Sequence, residues 1–300
     1  MTIDVVVYFS SLQKQAGRKL DVLQAFGEGA KKSGARVLFQ SRPEVVPAKL
    51  AVILGWPSPE QHTTNIRLRA AVVKDQKRAG NHVMAIDGST FKFHDPEGKY
   101  LRYSLNGVFY DTSEYANRNS DSGRWDVIRQ DLNLQLLPWN QNSGHILLLM
   151  QRDGGWSMKG LNPIEWTIKT YHNVRRVSSL PVLIRPHPGK NIDLRPLYSL
   201  PNTTIVDSRS VSLLDNLEQA KAACVFNSSS GVAPILKGVP LVVDDRSSVC
   251  WDVADYDVNA INHPSFKDRT QWLYDLSAAH WSDDEARQGL VFQKFLPYLT

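Results

Sequence analysis

Short apolar runs alternate with amphipathic segments along most of this chain, and that alternation limits its fold more than any other feature. VVVYF (Val5–Phe9), LAVILGW (Leu50–Trp56) and HVMAID (His82–Asp87) are too short for buried helices, and each reads as a buried strand. ARVLF (Ala35–Phe39) adds another. Between them, Arg18–Ser33 sets Leu20, Val22, Leu23 and Phe26 on one helical face. Thr64–Gly80 reads as a helix with a basic, solvated back and Gly80 as its C-terminal stop. Strand, helix, strand, helix, strand is the pattern of a parallel sheet covered on both faces.

The pattern loosens from Gly88 to Asn142. KYLRYSLNGVFYDTSEY is aromatic and polar, NRNSDSGRW is a loop, RWDVIRQDLNLQL reads as a helix, and Pro138 with NQNSG makes the best linker. The alternation then restarts. HILLLMQ (His145–Gln151) is a buried strand, and Asn162–Ser178 is a helix with Asn162 as N-cap and Pro163 in its first turn. PVLIRPHP, TTIVD, ACVFN and VPLVVDD read as strands, with SVSLLDNLEQAKA and GVAPILKG as helical segments between them. Helices are expected over Ser265–Ala279 and Ser282–Pro297. Two open α/β units follow from this: 1–142 and 143–281, with 282–300 crossing back to the first. Ligands of such sheets bind beyond the C-terminal strand ends, and a central cleft between two lobes is the default site.

Composition excludes several classes. An apolar share of 42% against 22% charged residues supports packed cores rather than disorder. No apolar run approaches the roughly 18–20 residues of a membrane span. The opening MTIDVVVYFS lacks the basic flank and cleavage site of a secretion signal. Cys224 and Cys250 stand alone in apolar surroundings, so no disulfide framework is expected and a cytoplasmic location is. A formal charge of +5 favours an anionic partner. The histidines show no H-x-x-x-H pair, so no metal site is expected.

Four clusters follow second-lobe strands. In QRDGGWSMKG, the glycines let backbone N–H groups approach an anion and Arg152 and Lys159 supply charge, with Gly155, Trp156 and Ser157 beside them. Its spacing is neither a P-loop nor G-x-G-x-x-G. In RPHPGK, prolines freeze His187 beside Arg185 and Lys190, a good receiver for phosphate. NSSSG places Asn227, Ser228, Ser229 and Ser230 where a strand gives way to a helix near Gly231. Capping needs one such hydroxyl, and three serines exceed it. Gly231 would permit close approach of a ligand. Asp244, Asp245 and Arg246 follow the next strand and suit a ribose or sugar, or equally a solvated loop. In the first lobe Asp87 ends a strand and is the first candidate for general base, with Asp111 and Glu114 as rivals. Arg102 and Tyr103 lie in an aromatic and cationic stretch suited to an acceptor, or equally to a core.

RPHP resembles the HP motif of bacterial sialyl- and Kdo-transferases and related capsule enzymes, and NSSSGVAPILKGVPLVV resembles their serine motif. The resemblance covers roughly Ile146–Val243 and implies the GT-B fold, two Rossmann-like lobes with parallel sheets facing a central cleft. It implies that His187 contacts the phosphate of a nucleotide-sugar donor and that Ser228, Ser229 and Ser230 bind phosphate too. The acidic D/E-D-G motif of the sialyltransferases is missing from the first lobe, so their acceptor chemistry does not carry over. LRYSLNGVFY, RWDVIRQDLNLQLLPW and HILLLMQRDGGWSMKG are instead similar to glycosyltransferases of tailed phages. That likeness implies transfer to double-stranded DNA bearing 5-hydroxymethylcytosine in a host cytoplasm.

The resulting expectation is a glycosyltransferase with a nucleotide-sugar, most simply UDP-linked, and no obligatory cofactor. His187 and its neighbouring cations would stabilise the leaving group while Asp87 takes the acceptor proton. A DNA base would have to be flipped out of its stack, with cations on Arg67–Lys77 and Arg118–Arg124 on the phosphates. The alternatives are transfer to a surface polysaccharide or lipid-linked acceptor from a CMP- or UDP-sugar, and a non-catalytic nucleotide-sugar-binding module.

Overall fold

The computed structural model describes residues 4–9, 17–58, 63–153, 156–189 and 192–299. Two compact units divide the chain: Met1–Trp125 with Tyr274–Thr300, and Asp126–Leu273. In chain order the first carries β1 (Asp4–Tyr8), α1 (Arg18–Lys32), β2 (Arg36–Gln40), β3 (Leu50–Leu54), α2 (Thr64–Ala79), β4 (His82–Gly88) and β5 (Tyr100–Leu105). α3 (Gly123–Asp131) spans the boundary. The second carries β6 (His145–Leu149), α4 (Pro163–Val177), β7 (Val182–Arg185), β8 (Thr203–Ile205), α5 (Leu213–Leu217), β9 (Ala220–Val225), α6 (Val232–Leu236) and β10 (Leu241–Val243). After α7 (Thr270–Ala278) the chain returns to the first unit with β11 (His280–Ser282), α8 (Asp283–Gln288) and α9 (Leu290–Phe295).

The second unit's sheet runs β10-β9-β6-β7-β8 with every pairing parallel. β6, β9 and β10 are buried on both faces, which is why they read as continuous apolar runs, whereas the edge strand β8 is partly exposed. The first sheet runs β11-β5-β4-β3-β1-β2. β1 to β4 are parallel, β5 runs antiparallel to β4, and β11 at the edge pairs antiparallel with β5. Local signals set the helix ends as expected. Asn162 Oδ1 accepts from the N–H of Ile164 at 2.8 Å, with Pro163 in the first turn of α4. Gly80 closes α2 in the left-handed region, at φ 66°.

Three expectations need correction. The polar, aromatic stretch after Gly88 contains β5, whose Arg102 and Ser104 are both buried and partnered, so hydropathy hid it. β11 pairs with β5 and therefore belongs to the first sheet, not to a second lobe ending at 281. The helix expected over Ser282–Pro297 is two, broken at Gly289 with φ 92°.

The returning segment is bound into the first unit. Phe292 and Phe295 pack with Leu23 and Phe26 of α1 in one core. A capping box joins Ser282 and Glu285 at the start of α8. The Arg124 guanidinium grips both Glu285 oxygens, lies 4.4 Å from the Trp281 ring centre, and donates to the His280 carbonyl.

His280 is fully buried. Its Nδ1 faces the Leu276 carbonyl oxygen and its Nε2 accepts from the Thr90 N–H. Burial pushes its pKa down to about 3, against the Leu276 hydrogen bond. The ring is therefore neutral when folded, whereas in the unfolded chain it protonates below about pH 6.5. Its contribution is complete above that pH and is lost as pH falls from about 6.5 toward 3, by about 1.4 kcal/mol per pH unit. Urea melts at pH 7, 6 and 5 should show this slope, reduced by about one proton in His280→Gln.

Candidate functional site

In the second unit, the loops after β6, β7 and β9 leave the same sheet edge, because these strands are parallel neighbours. β7 and β9 flank β6, so their ends stand about 10 Å apart at the usual strand spacing. This brings the His187 loop and the serine turn to one edge.

A carboxamide pair sets that edge. Gln151 Nε2 donates to Asn227 Oδ1 at 2.9 Å, and the Asn227 N–H donates to Gln151 Oε1 at 3.0 Å. Asn227 Nδ2 reaches the Ser157 carbonyl and Ser247 Oγ, each at 2.8 Å. Asn227 is thus buried, and its side chain is consumed by two loops, those after β6 and β10. Its amide ties these loops together and is already engaged within the protein.

The serines divide. Ser228 Oγ accepts from the Ser230 N–H at 3.2 Å and from Ser230 Oγ at 2.8 Å, closing a 3-10 turn ahead of α6. Ser229 is exposed and its hydroxyl has no protein partner among the described residues. α6 has only five residues, so its dipole is small and the hydroxyls matter more. Gly231 serves packing: a Cβ there would lie 2.9 Å from Leu241 Cδ2 and 3.3 Å from Cys250 Sγ. That corrects the expectation that it admits a ligand.

His187 is exposed at the end of the β7 loop. Its Nδ1 accepts from the Gly189 N–H at 2.9 Å, so the neutral ring carries its proton on Nε2. Beside it lies a concavity of about 350 Å³ lined by Ile192, Leu194, Ile205, Tyr198, Asp207 and Arg209, among others. The sequence offered a hint of this in TTIVD, an acid at a strand end, but Tyr198 and Arg209 carried none. Asp207 turns inward to its own loop, held below the usual carboxylate range by the Arg209 N–H and then Ser210.

Two expected cations are engaged by the protein. Arg185 is buried, donating to Asn216 Oδ1 at 2.6 Å and to the Ser208 carbonyl at 3.2 Å. Lys159 Nζ lies 2.8 and 3.1 Å from the Asp245 oxygens. Burial raises the Asp245 carboxyl, but hydrogen bonds from Lys159 and Ser247 outweigh it and hold the group below its ordinary value. Burial pushes the neighbouring Asp244 up, against the 2.7 Å bond from Trp166 Nε1. Arg152 is exposed, and among the described residues its side chain has no partner. Gly155 and Lys190 lie outside the described residues, as does the Trp156 side chain.

In the first unit, Asp87 near the end of β4 faces Arg102 of β5 in register, and Arg102 Nη2 donates to Asp87 Oδ2 at 2.9 Å. Asp87 Oδ1 has no hydrogen-bond partner among the described residues. The carboxylate lines a pocket of about 230 Å³ at the strand ends, with Tyr8, Lys19, Asn65 and Arg69. The other acceptor-side candidates do not join it. Tyr103 is fully buried and stacks 6.1 Å from Phe26, so it is core. Glu114 bridges Leu105, which pairs with Met84 at the opposite end of β4, and its Oε1 accepts from the Ala116 N–H. Asp111 is exposed in the turn leading to it.

No protein-family model matches the chain, and no curated protein does. Solved structures do. KpsC of Thermosulfurimonas dismutans, described as a β-Kdo 2,4 transferase, is 11% identical, with 93% of this chain and 90% of that one covered at a TM-score of 0.55. A second, a β-Kdo 2,7 transferase from KpsC of the same organism, is 15% identical over 97% of this chain and 99% of that one, at 0.56. At such identities the likeness is one of fold, and it shows that this chain has the α/β fold of the GT-B class.

Proposed function

We propose that this chain is a glycosyltransferase that takes a nucleotide-sugar donor at the strand ends of its second unit. The observation that carries it is the coincidence of the GT-B fold with an HP loop and a serine turn on one sheet edge. Fold alone does not give function. Here the polar groups stand where such a fold binds ligands.

His187 Nε2–H, the Ser229 hydroxyl and the exposed Arg152 are the donors for a diphosphate or monophosphate leaving group. As the glycosidic bond breaks, charge grows on the phosphate oxygen, and fixed donors there lower the barrier. In the first unit, Arg102 fixes Asp87 by Oδ2, and Oδ1 takes the proton of the attacking hydroxyl. Asp87→Asn should leave nucleotide affinity unchanged and lower turnover by about 100-fold or more. Calorimetry and released nucleotide measure the two separately.

Two acceptor classes fit this chemistry. A saccharide acceptor accords with the two Kdo transferases of the same fold. A DNA acceptor accords with the +5 charge and the exposed Arg67, Lys74 and Lys77 of α2, although Arg124 is committed to Glu285. A panel of UDP-, GDP- and CMP-sugars, offered with oligosaccharides and with 5-hydroxymethylcytosine DNA, separates them by product mass. No mass gain and no nucleotide release with any donor would remove the transferase reading.

A further inference from the structure

The pocket at the first unit's strand ends has chemistry beyond a general base. Its volume of about 230 Å³ admits one sugar-sized group and not a duplex. Among the described residues Asp87 is the one acid that lines it, and Arg102 already pairs with it. Two further cations face the same space. Lys19, in the first turn of α1, is exposed, and its ammonium has no partner among the described residues. Arg69 of α2 donates through Nη1 to the Leu54 carbonyl at 2.5 Å, a neutral partner, and its Nε is buried with none. Asn65, one turn before Arg69 on α2, adds an amide with no partner among the described residues.

Such a set is poorly matched to a neutral sugar. A hydroxyl needs one donor or acceptor, whereas here Arg69, hydrogen-bonded to a carbonyl, stands with Lys19 and Arg102 against the single charge of Asp87, and that excess of cations favours an anion. Tyr8 cannot supply that anion, since its hydroxyl both donates to and accepts from the Val46 backbone. We propose that this pocket is a subsite for an anionic sugar unit, with Arg69 and Lys19 reading its carboxylate or phosphate and Asp87 facing its reactive hydroxyl. The acceptor role rests on the transferase reading; the anion binding does not.

Calorimetry on the full chain tests it with D-glucuronate, glucose 6-phosphate and D-glucose. Glucuronate or glucose 6-phosphate should bind at least about tenfold more tightly than glucose, as charge-assisted hydrogen bonds allow. The tighter of the two identifies the anion as carboxylate or phosphate. Arg69→Gln should weaken that binding about tenfold and Lys19→Gln about threefold, on the same bond strengths. Arg69 also holds Leu54, so its variant needs a matching thermal melt. Lys19 has no such duty and keeps the test decisive if Arg69→Gln misfolds. Equal affinity for glucose, or anion binding unmoved by Lys19→Gln, overturns the proposal. Parallel UDP and CMP titrations separate the two ideas. Anion binding without nucleotide binding keeps the pocket and removes the transferase, and the reverse result removes the pocket.

Discussion

His187→Ala should lower the affinity for the donor nucleotide by about ten- to a hundredfold, the worth of one charge-assisted hydrogen bond. The ring is exposed, and the Gly189 N–H holds its Nδ1, so the neutral ring carries its proton on Nε2. Titrating UDP and CMP into the wild-type and variant chains measures this directly. Gly189→Ala is the companion change. A Cβ there would stand 2.8 Å from His187 Cε1 and 3.1 Å from Nδ1, so the imidazole must swing away. It should reproduce most of the His187→Ala loss with an unchanged melting temperature. Equal nucleotide affinity in all three proteins would show that the HP loop is structural and would remove His187 from the site.

Gly29→Ala should destabilise the first unit by about 3 kcal/mol, the upper range for overpacking. The added Cβ would collide with the Ala286 carbonyl oxygen and stand 2.8 Å from Gly289 N. Both obstacles are backbone, so no rotamer change relieves them. The cost comes from the close approach of α1 to the turn between α8 and α9, which brings the chain's last residues onto the first core. Gly34→Ala is the control. Its φ of 91° is strained for alanine, but nothing lies within 4 Å of the added atom, so about 1–2 kcal/mol is expected. Denaturant unfolding compares them, and equal losses would show that helix packing is not what Gly29 secures.

Most of the framework was legible in the sequence because its signals are local. Buried parallel strands such as β1, β3 and β6 declare themselves as apolar runs, and Asn162, Pro163 and Gly80 act on backbone within a turn of themselves. Position at a strand end is equally local, which is why the sequence sets Asp87, His187 and the serine turn at the ends of β4, β7 and β9. β5 was hidden because its buried Arg102 and Ser104, partnered by Asp87 and the Gly107 carbonyl, break the apolar run that marks a buried strand. β11 was hidden because three residues carry no period.

The same distinction runs through the candidate site. Residue type and order alone determined that polar and cationic groups follow second-unit strands. Which of them are available was decided by contacts remote in sequence. Asn227 is consumed by Gln151 and Ser247, Arg185 by Asn216, and Lys159 by Asp245. Lys19 and Arg69 were brought to Asp87 by helices that carry no mark of it. A side chain's charge is a property of its residue, but whether that charge is spent inside the protein depends on what the fold sets within about 3 Å of it. The chain's chemistry was written in its sequence, and the assignment of that chemistry to ligand or to scaffold came from the tertiary structure.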